Sequence, residues 1–165
     1  MAIDFKHPLL VKKLQDQAYN QIQMERNGNM NMIISQKQGR VPVTVLQLIG
    51  KLDGSNYMQL IEEARKAYLD GARDLLIDLT ELTFMSSAGI AAIHQTALVF
   101  RGQLQAEEES GWASYHSIDR DRGSGLQEHV KLLCPQGNVA SILDIAAFDS
   151  LFEIYHDLDT AVASF

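Results

Sequence analysis

A single cysteine, Cys134, in 165 residues leaves no internal disulfide framework and suits a reducing compartment. No apolar run approaches the roughly 18 residues of a membrane span. The first residues, MAIDFKHPLLVKKLQDQ, lack the unbroken apolar centre and small-residue cleavage site of a signal peptide. Positive charge is also scarce. Lys and Arg number 14 against 21 Asp and Glu, for a formal net charge of −7, and no dense basic run would grip nucleic acid non-specifically. The five histidines, His7, His94, His116, His129 and His156, form neither H-x-x-x-H nor H-E-x-x-H, so no metal site can be named. There is no G-x-x-x-x-G-K-[ST] or G-x-G-x-x-G run to cradle nucleotide phosphates. These absences predict a cytoplasmic protein with no cofactor, no metal, no nucleic-acid partner and no membrane contact.

What remains is ample for a core. Hydrophobic residues make up 46% and charged residues 21%, which fits one globular domain and excludes global disorder. Residues 1–28 carry Leu10, Val11, Leu14, Ala18 and Ile22 on one helical stripe and end at Asn27-Gly28, a helix stop. This N-terminal helical extension must pack either on the domain or on a second copy of it, and the latter would make a homodimer. Met30, Met32 and Ile34 then alternate with polar residues. Val43 to Ile49 forms a more apolar strand with Pro42 at its start, and Gly39-Arg40 punctuates the two as a hairpin. Ser55 or Asn56 can cap a helix with apolar positions Tyr57, Leu60, Ile61, Ala64, Ala67 and Tyr68, stopped near Gly71.

The chain is organised around residues 75–100. Leu75-Leu76-Ile77-Asp78-Leu79 reads as a strand buried on both faces. A brief turn follows, and then Ile90, Ile93, Ala97 and Phe100 recur at helical spacing. A Ser86-Ser87-Ala88-Gly89 turn between them places hydroxyls at a helix N-terminus, where free N–H groups and the dipole tolerate an anion. Locally, Ser86 or Ser87 reads as an N-cap. An esterase elbow would need glycine two residues before Ser87, where Met85 stands, so no catalytic residue is expected. His94, one and a half turns into the helix, reads as a partly buried structural histidine.

Residues 103–129 are polar, with Glu107-Glu108-Glu109 and Gly123-Ser124-Gly125 and no clear periodicity, and are expected to lie outside the core. Within them Trp112 and Tyr115 either anchor a partner or fold back to pin the loop. Val130 to Cys134 is a fourth strand, and Val139, Ile142, Leu143 and Ala146 mark a short helix with Asn138 as candidate cap. Leu151 to His156 is a last strand and Asp157 to Phe165 a last helix with acid in its first turn. The order predicts a mixed, mostly parallel α/β sheet with covering helices.

Three segments resemble one known family. Asp78, Leu79, Phe84, Met85, Ser87 and Gly89 fit D-L-x-x-[VL]-x-[FY]-[ML]-[DS]-S-[SA]-G-[IL], which is similar to the signature of STAS domains (sulfate transporter and anti-sigma factor antagonist). Gly50-Lys51-Leu52-Asp53 is similar to the G-x-[LI]-D before that family's first helix. The run from Ile142 to Val162 resembles its C-terminal third. The resemblance implies a single STAS-like domain over 29–165 with an insertion at about 103–129. It also implies an anti-sigma factor antagonist that docks on an anti-sigma factor and serine kinase, and is released by phosphorylation. The family's acceptor lies two positions before the glycine, which is Ser87; Ser86 is the second candidate and stands where those antagonists usually carry aspartate. The implied partner surface is Asp53, Ser55, Asn56, Ser86, Ser87, Ala88 and Gly89, although Asp53 read locally is equally an ordinary turn carboxylate. The alternative implied role is an unphosphorylated STAS subunit of a stress-signalling or transporter-associated complex.

Overall fold

In residues 43–48 the apolar alternation changes phase, with Val43 and Val45 on one face and Leu46 and Leu48 on the other, so one strand serves two hydrophobic layers. The computed structural model describes residues 12, 16, 30–104 and 112–165. The stripe of residues 10–22 and the Glu107–Glu109 run therefore lie outside the described residues, as do the side chains of Trp112 and Tyr115. Five strands form one sheet in sequence order: β1 (Met30–Gln38), β2 (Pro42–Leu52), β3 (Leu75–Met85), β4 (Val130–Leu133) and β5 (Ile154–Tyr155). β1 and β2 are the expected antiparallel hairpin, and β2 through β5 run parallel. The helices are α1 (Tyr57–Leu69), α2 (Ser87–Phe100), α3 (Trp112–Asp121), α4 (Gly137–Ile145) and α5 (Leu158–Ala163), with a 3-10 turn at Phe148–Ser150.

On one face, Leu46, Leu48, Leu52, Leu75, Ile77 and Leu79 pack beneath α1, α2 and α4 in the main core. Tyr68 of α1 meets Phe100 of α2 edge-on at 5.6 Å. The second face carries a smaller cluster, Val43, Val45, Leu76 and Leu133 against Ala161 and Val162 of α5. The two α1 boundaries follow from local chemistry: Asn56 occupies the N-cap position, and Gly71 beyond the last turn takes a left-handed φ of +110°, open to glycine at no steric cost.

Four expectations are corrected. β3 does not end at Leu79 but continues to Met85, because two register shifts against β2 insert extra residues. At the first shift the Asp78 carboxylate accepts hydrogen bonds from the Thr80 N–H and hydroxyl. Burial beyond it falls on Leu79, Leu82 and Met85, every third residue, so the alternation that marks a strand is lost. Second, the polar insertion contains α3, whose Ile118 is buried in the main core. Third, α4 is capped at Gln136, not Asn138. Fourth, the last strand shrinks to Ile154–Tyr155, while Leu151 and Phe152 are drawn into the core as Phe152 stacks on Phe148 at 5.3 Å.

Candidate functional site

In a parallel sheet the loops that follow the strands gather at the carboxyl edge. Here the loops after β2 and β3 meet directly, because the Ser86 N–H donates to the Leu52 carbonyl at 2.9 Å. Residues 53–56 form the first loop. The Asp53 carboxylate accepts from both the N–H and the hydroxyl of Ser55, at 2.8 and 2.6 Å. Those bonds, the hydroxyl's foremost, hold Asp53 below the usual aspartate range, with Lys51 adding to the effect. Asn56 is 2% exposed. Its side-chain oxygen accepts from the Asp53 N–H, and its amide donates to the Lys51 carbonyl. Asn56 therefore holds the loop closed and does not cap the helix with its side chain.

The second loop is Ser86 and the first turn of α2. Ser86 is the N-cap residue in extended backbone, with its carbonyl accepting the first helical bond from the Ile90 N–H. Ser86 thus takes the expected N-cap position, but its hydroxyl makes no capping hydrogen bond. The Ser86 hydroxyl is turned inward and has no hydrogen-bond partner among the described residues. Ser87 opens the helix and is exposed. Ala88 is half-buried, and Gly89 is buried. A Cβ at Gly89 would stand 2.8 Å from Met85 Cγ and 2.9 Å from Leu52 Cγ. Only glycine lets the first turn of α2 lie this close to the ends of β2 and β3.

Of the seven candidate positions, then, Ser55 and Ser87 are exposed, Asp53, Ser86 and Ala88 are half-buried, and Asn56 and Gly89 are buried. Gly54, not singled out in the sequence, is exposed between them. The N–H groups of Ser87, Ala88 and Gly89 precede the first helical hydrogen bond, so this turn presents unpaired donors beside the Ser87 hydroxyl.

Residues 32–103, which hold both loops, match the family model of the STAS domain. That stretch is similar to a STAS domain. Solved structures share its fold. An anti-sigma factor antagonist from Mycobacterium paratuberculosis is 17% identical, with a TM-score of 0.59 over 84% of this chain and 95% of that one. A protein of Thermotoga maritima assigned to the anti-sigma factor antagonists is 14% identical, with a TM-score of 0.54 over 79% and 90%. The anti-sigma factor antagonist SpoIIAA of Bacillus, in its unphosphorylated form, is 16% identical, with a TM-score of 0.50 over 79% and 93%. No curated protein sequence matches significantly. At these identities the likeness to solved structures is one of fold.

Two further features frame the two loops. His94, seven residues along α2 from Ser87, is 1% exposed. Its Nε2 lies 2.6 Å from Asp121 Oδ2 of α3, and the same oxygen accepts from Arg101 at 3.0 Å. At the opposite edge of the sheet, a recess of about 430 Å³ is lined by Asp74, His129, Lys131, Glu153 and Phe165, among others. Four of its polar side chains are spent on one another, His129 with Asp74 and Lys131 with Glu153. Among the described residues no three His, Cys, Asp or Glu side chains gather as a metal would require, and no helix is long and apolar enough to cross a membrane.

Proposed function

We propose that this STAS domain is an anti-sigma factor antagonist-like regulator that acts by binding and not by catalysis. Its docking surface is the carboxyl edge of β2 and β3, where Asp53, Gly54, Ser55, Ser87 and Ala88 face outward; Asn56, Ser86 and Gly89 shape that surface from below. The partner is an anti-sigma factor that is also a serine kinase, and phosphorylation of Ser87 switches binding off in the cytoplasm.

One observation carries this reading: of the two adjacent serines, Ser87 alone is exposed, at the first position of a 14-residue helix. A phosphate adds about −1.5 to −2 charge. The unpaired N–H groups and helix dipole within the domain tolerate that charge, while a docked protein surface would have to desolvate it. Abolishing a complex for practical purposes needs about 2.7 kcal/mol for a hundredfold change, well within reach of one buried phosphate. That SpoIIAA, which shares the fold, is described in an unphosphorylated form supports the switch.

A second reading is favoured by Ser86 at the position of the usual aspartate and by α3, the helix inserted beside α2. It makes the domain an unphosphorylated STAS subunit of a stress-signalling or transporter-associated complex. Pull-down from the source cell, with kinase and ATP treatment followed by mass spectrometry, separates the two. Under the first reading Ser87→Asp keeps its stability but binds the captured partner about tenfold more weakly or worse, roughly 1.4 kcal/mol, and Ser87→Ala binds but resists release. Phosphate on Ser86 alone, or full-strength binding by Ser87→Asp, overturns it.

A further inference from the structure

Among the described residues, the second face of the sheet is covered over only half its length. Opposite residues in the β1–β2 hairpin share a face, so Ile33 stands with Gln47, and Asn31 with Ile49, on the same side as Val43 and Val45. Across β3, Phe84 opposite Lys51 belongs to this face too, since its neighbour Met85 lies in the core beneath α2. The half toward the hairpin turn is closed by α5, whose Val162 approaches Gly39 so tightly that a Cβ there would sit 2.7 Å from the Val162 carbonyl oxygen. The other half presents Ile33, 42% exposed, Phe84, 40% exposed, and a half-buried Ile49. Its outer edge is β1, nine residues carrying a single charge, Lys37. An exposed, nearly uncharged edge with Ile33 and Ile34 at its middle is the kind that proteins protect with another element.

The chain brings such an element to this corner. Because β1 is antiparallel to β2, it starts at Met30 opposite Gly50, at the uncovered end, and residues 1–28 lead straight into it. Leu10, Leu14, Ala18 and Ile22 recur every fourth residue. Lys12 and Asp16, two positions out of phase with that stripe, are helical and exposed, as the polar side of a docked amphipathic helix would be. From Leu10 to Ile22 a helix runs about 18 Å at 1.5 Å per residue, and three strands span about 10 Å between their outer axes. The stripe is long enough to cross β1, β2 and β3.

We propose that residues 1–28 are the missing cover: their apolar stripe lies on Ile33, Ile49 and Phe84 of the same chain. The cover ends beside the strand that feeds Ser87, but it stands independently of any role for that serine.

The test is a double-mutant cycle in the full chain. Leu14→Ala and Ile33→Ala are measured singly and together by chemical denaturation, with Ile34→Ala, the adjacent residue on the opposite face, as control. The expected result is coupling of about fivefold or more in the unfolding equilibrium constant for Leu14 with Ile33, additivity for Leu14 with Ile34, and a mass by light scattering that Leu14→Glu leaves unchanged. Additivity in both pairs overturns the proposal. So does a mass halved by Leu14→Glu, which would seat the stripe on a second copy.

Discussion

At Gly89 two opposing effects decide what alanine would do. In an open helix alanine is favoured over glycine by up to about 1 kcal/mol. Here its methyl would enter contact distances below 3.0 Å with Leu52 and Met85, and overpacking of this kind typically takes back about 1–3 kcal/mol. Gly89→Ala should therefore destabilise the domain by up to about 2 kcal/mol in urea denaturation, and a stabilised variant would contradict the packing described. Ser86 gives the reverse case. A capping serine is worth about 1 kcal/mol, but this hydroxyl bonds no helix N–H. Ser86→Ala should fall within about 0.5 kcal/mol of the parent. The signature glycine and the two serines were legible in the sequence as a pattern. Which hydroxyl faces water was not, because at a strand-to-helix junction one residue's step reverses the direction of the side chain.

Among the elements, α3 and α5 are held by buried charge. Asp121 of α3 brings its carboxylate to the buried His94 and to Arg101, and Ile118 completes the contact. Asp121→Ala withdraws a hydrogen-bonding carboxylate from a buried imidazole and should cost about 1–3 kcal/mol, read as a lowered denaturation midpoint. Replacing residues 106–126 by a flexible linker should cost more, since Ile118 leaves with them; the expectation that this stretch lies outside the core does not survive this contact. It arose because, among the described side chains of α3, Ile118 alone is buried, leaving no apolar period to read. α5 is tied by Lys131, 6% exposed, whose ammonium donates to the Ser164 carbonyl and hydroxyl and pairs with Glu153 at 2.7 Å. That Lys131 hydrogen bond, with a second from Tyr155, holds the Glu153 carboxyl below its ordinary 4.5. A depressed carboxylate stabilises the fold above its unfolded pKa, and the contribution fades as pH falls through the folded value. Lys131→Met should therefore flatten the loss of stability below about pH 4.5, measured as unfolding midpoint against pH. An unchanged acid limb would show that the pair contributes nothing. By contrast the hairpin, α1, α2 and the succession of strands and helices along the chain were readable, because there the apolar periods are regular and bounded by turn residues.

For the molecule as a whole, the order of strands has a consequence for how the chain folds. Each strand pairs with its immediate predecessor in sequence, so the sheet can grow from one side as a zipper, with no strand waiting for a later one to slot between. The steps are unequal. β1 and β2 close across a tight turn, β2 and β3 across residues 53–74, and β3 and β4 across residues 86–129. The doubled span adds only about 0.6 kcal/mol of closure entropy, but it must also organise α2 and α3 before β4 has a surface to join. Nucleation therefore belongs to β1, β2 and β3, and β4 with β5 docks late. Leu46→Ala should slow refolding, whereas Leu132→Ala, equally buried on the same face, should chiefly speed unfolding. Stopped-flow chevrons of the two variants read this directly: a refolding arm slowed equally by both would mean that the late strand is already in place at the barrier. With the late strand absent from the nucleus, the edge bearing Ser87 is assembled before the edge that seals the recess around Lys131.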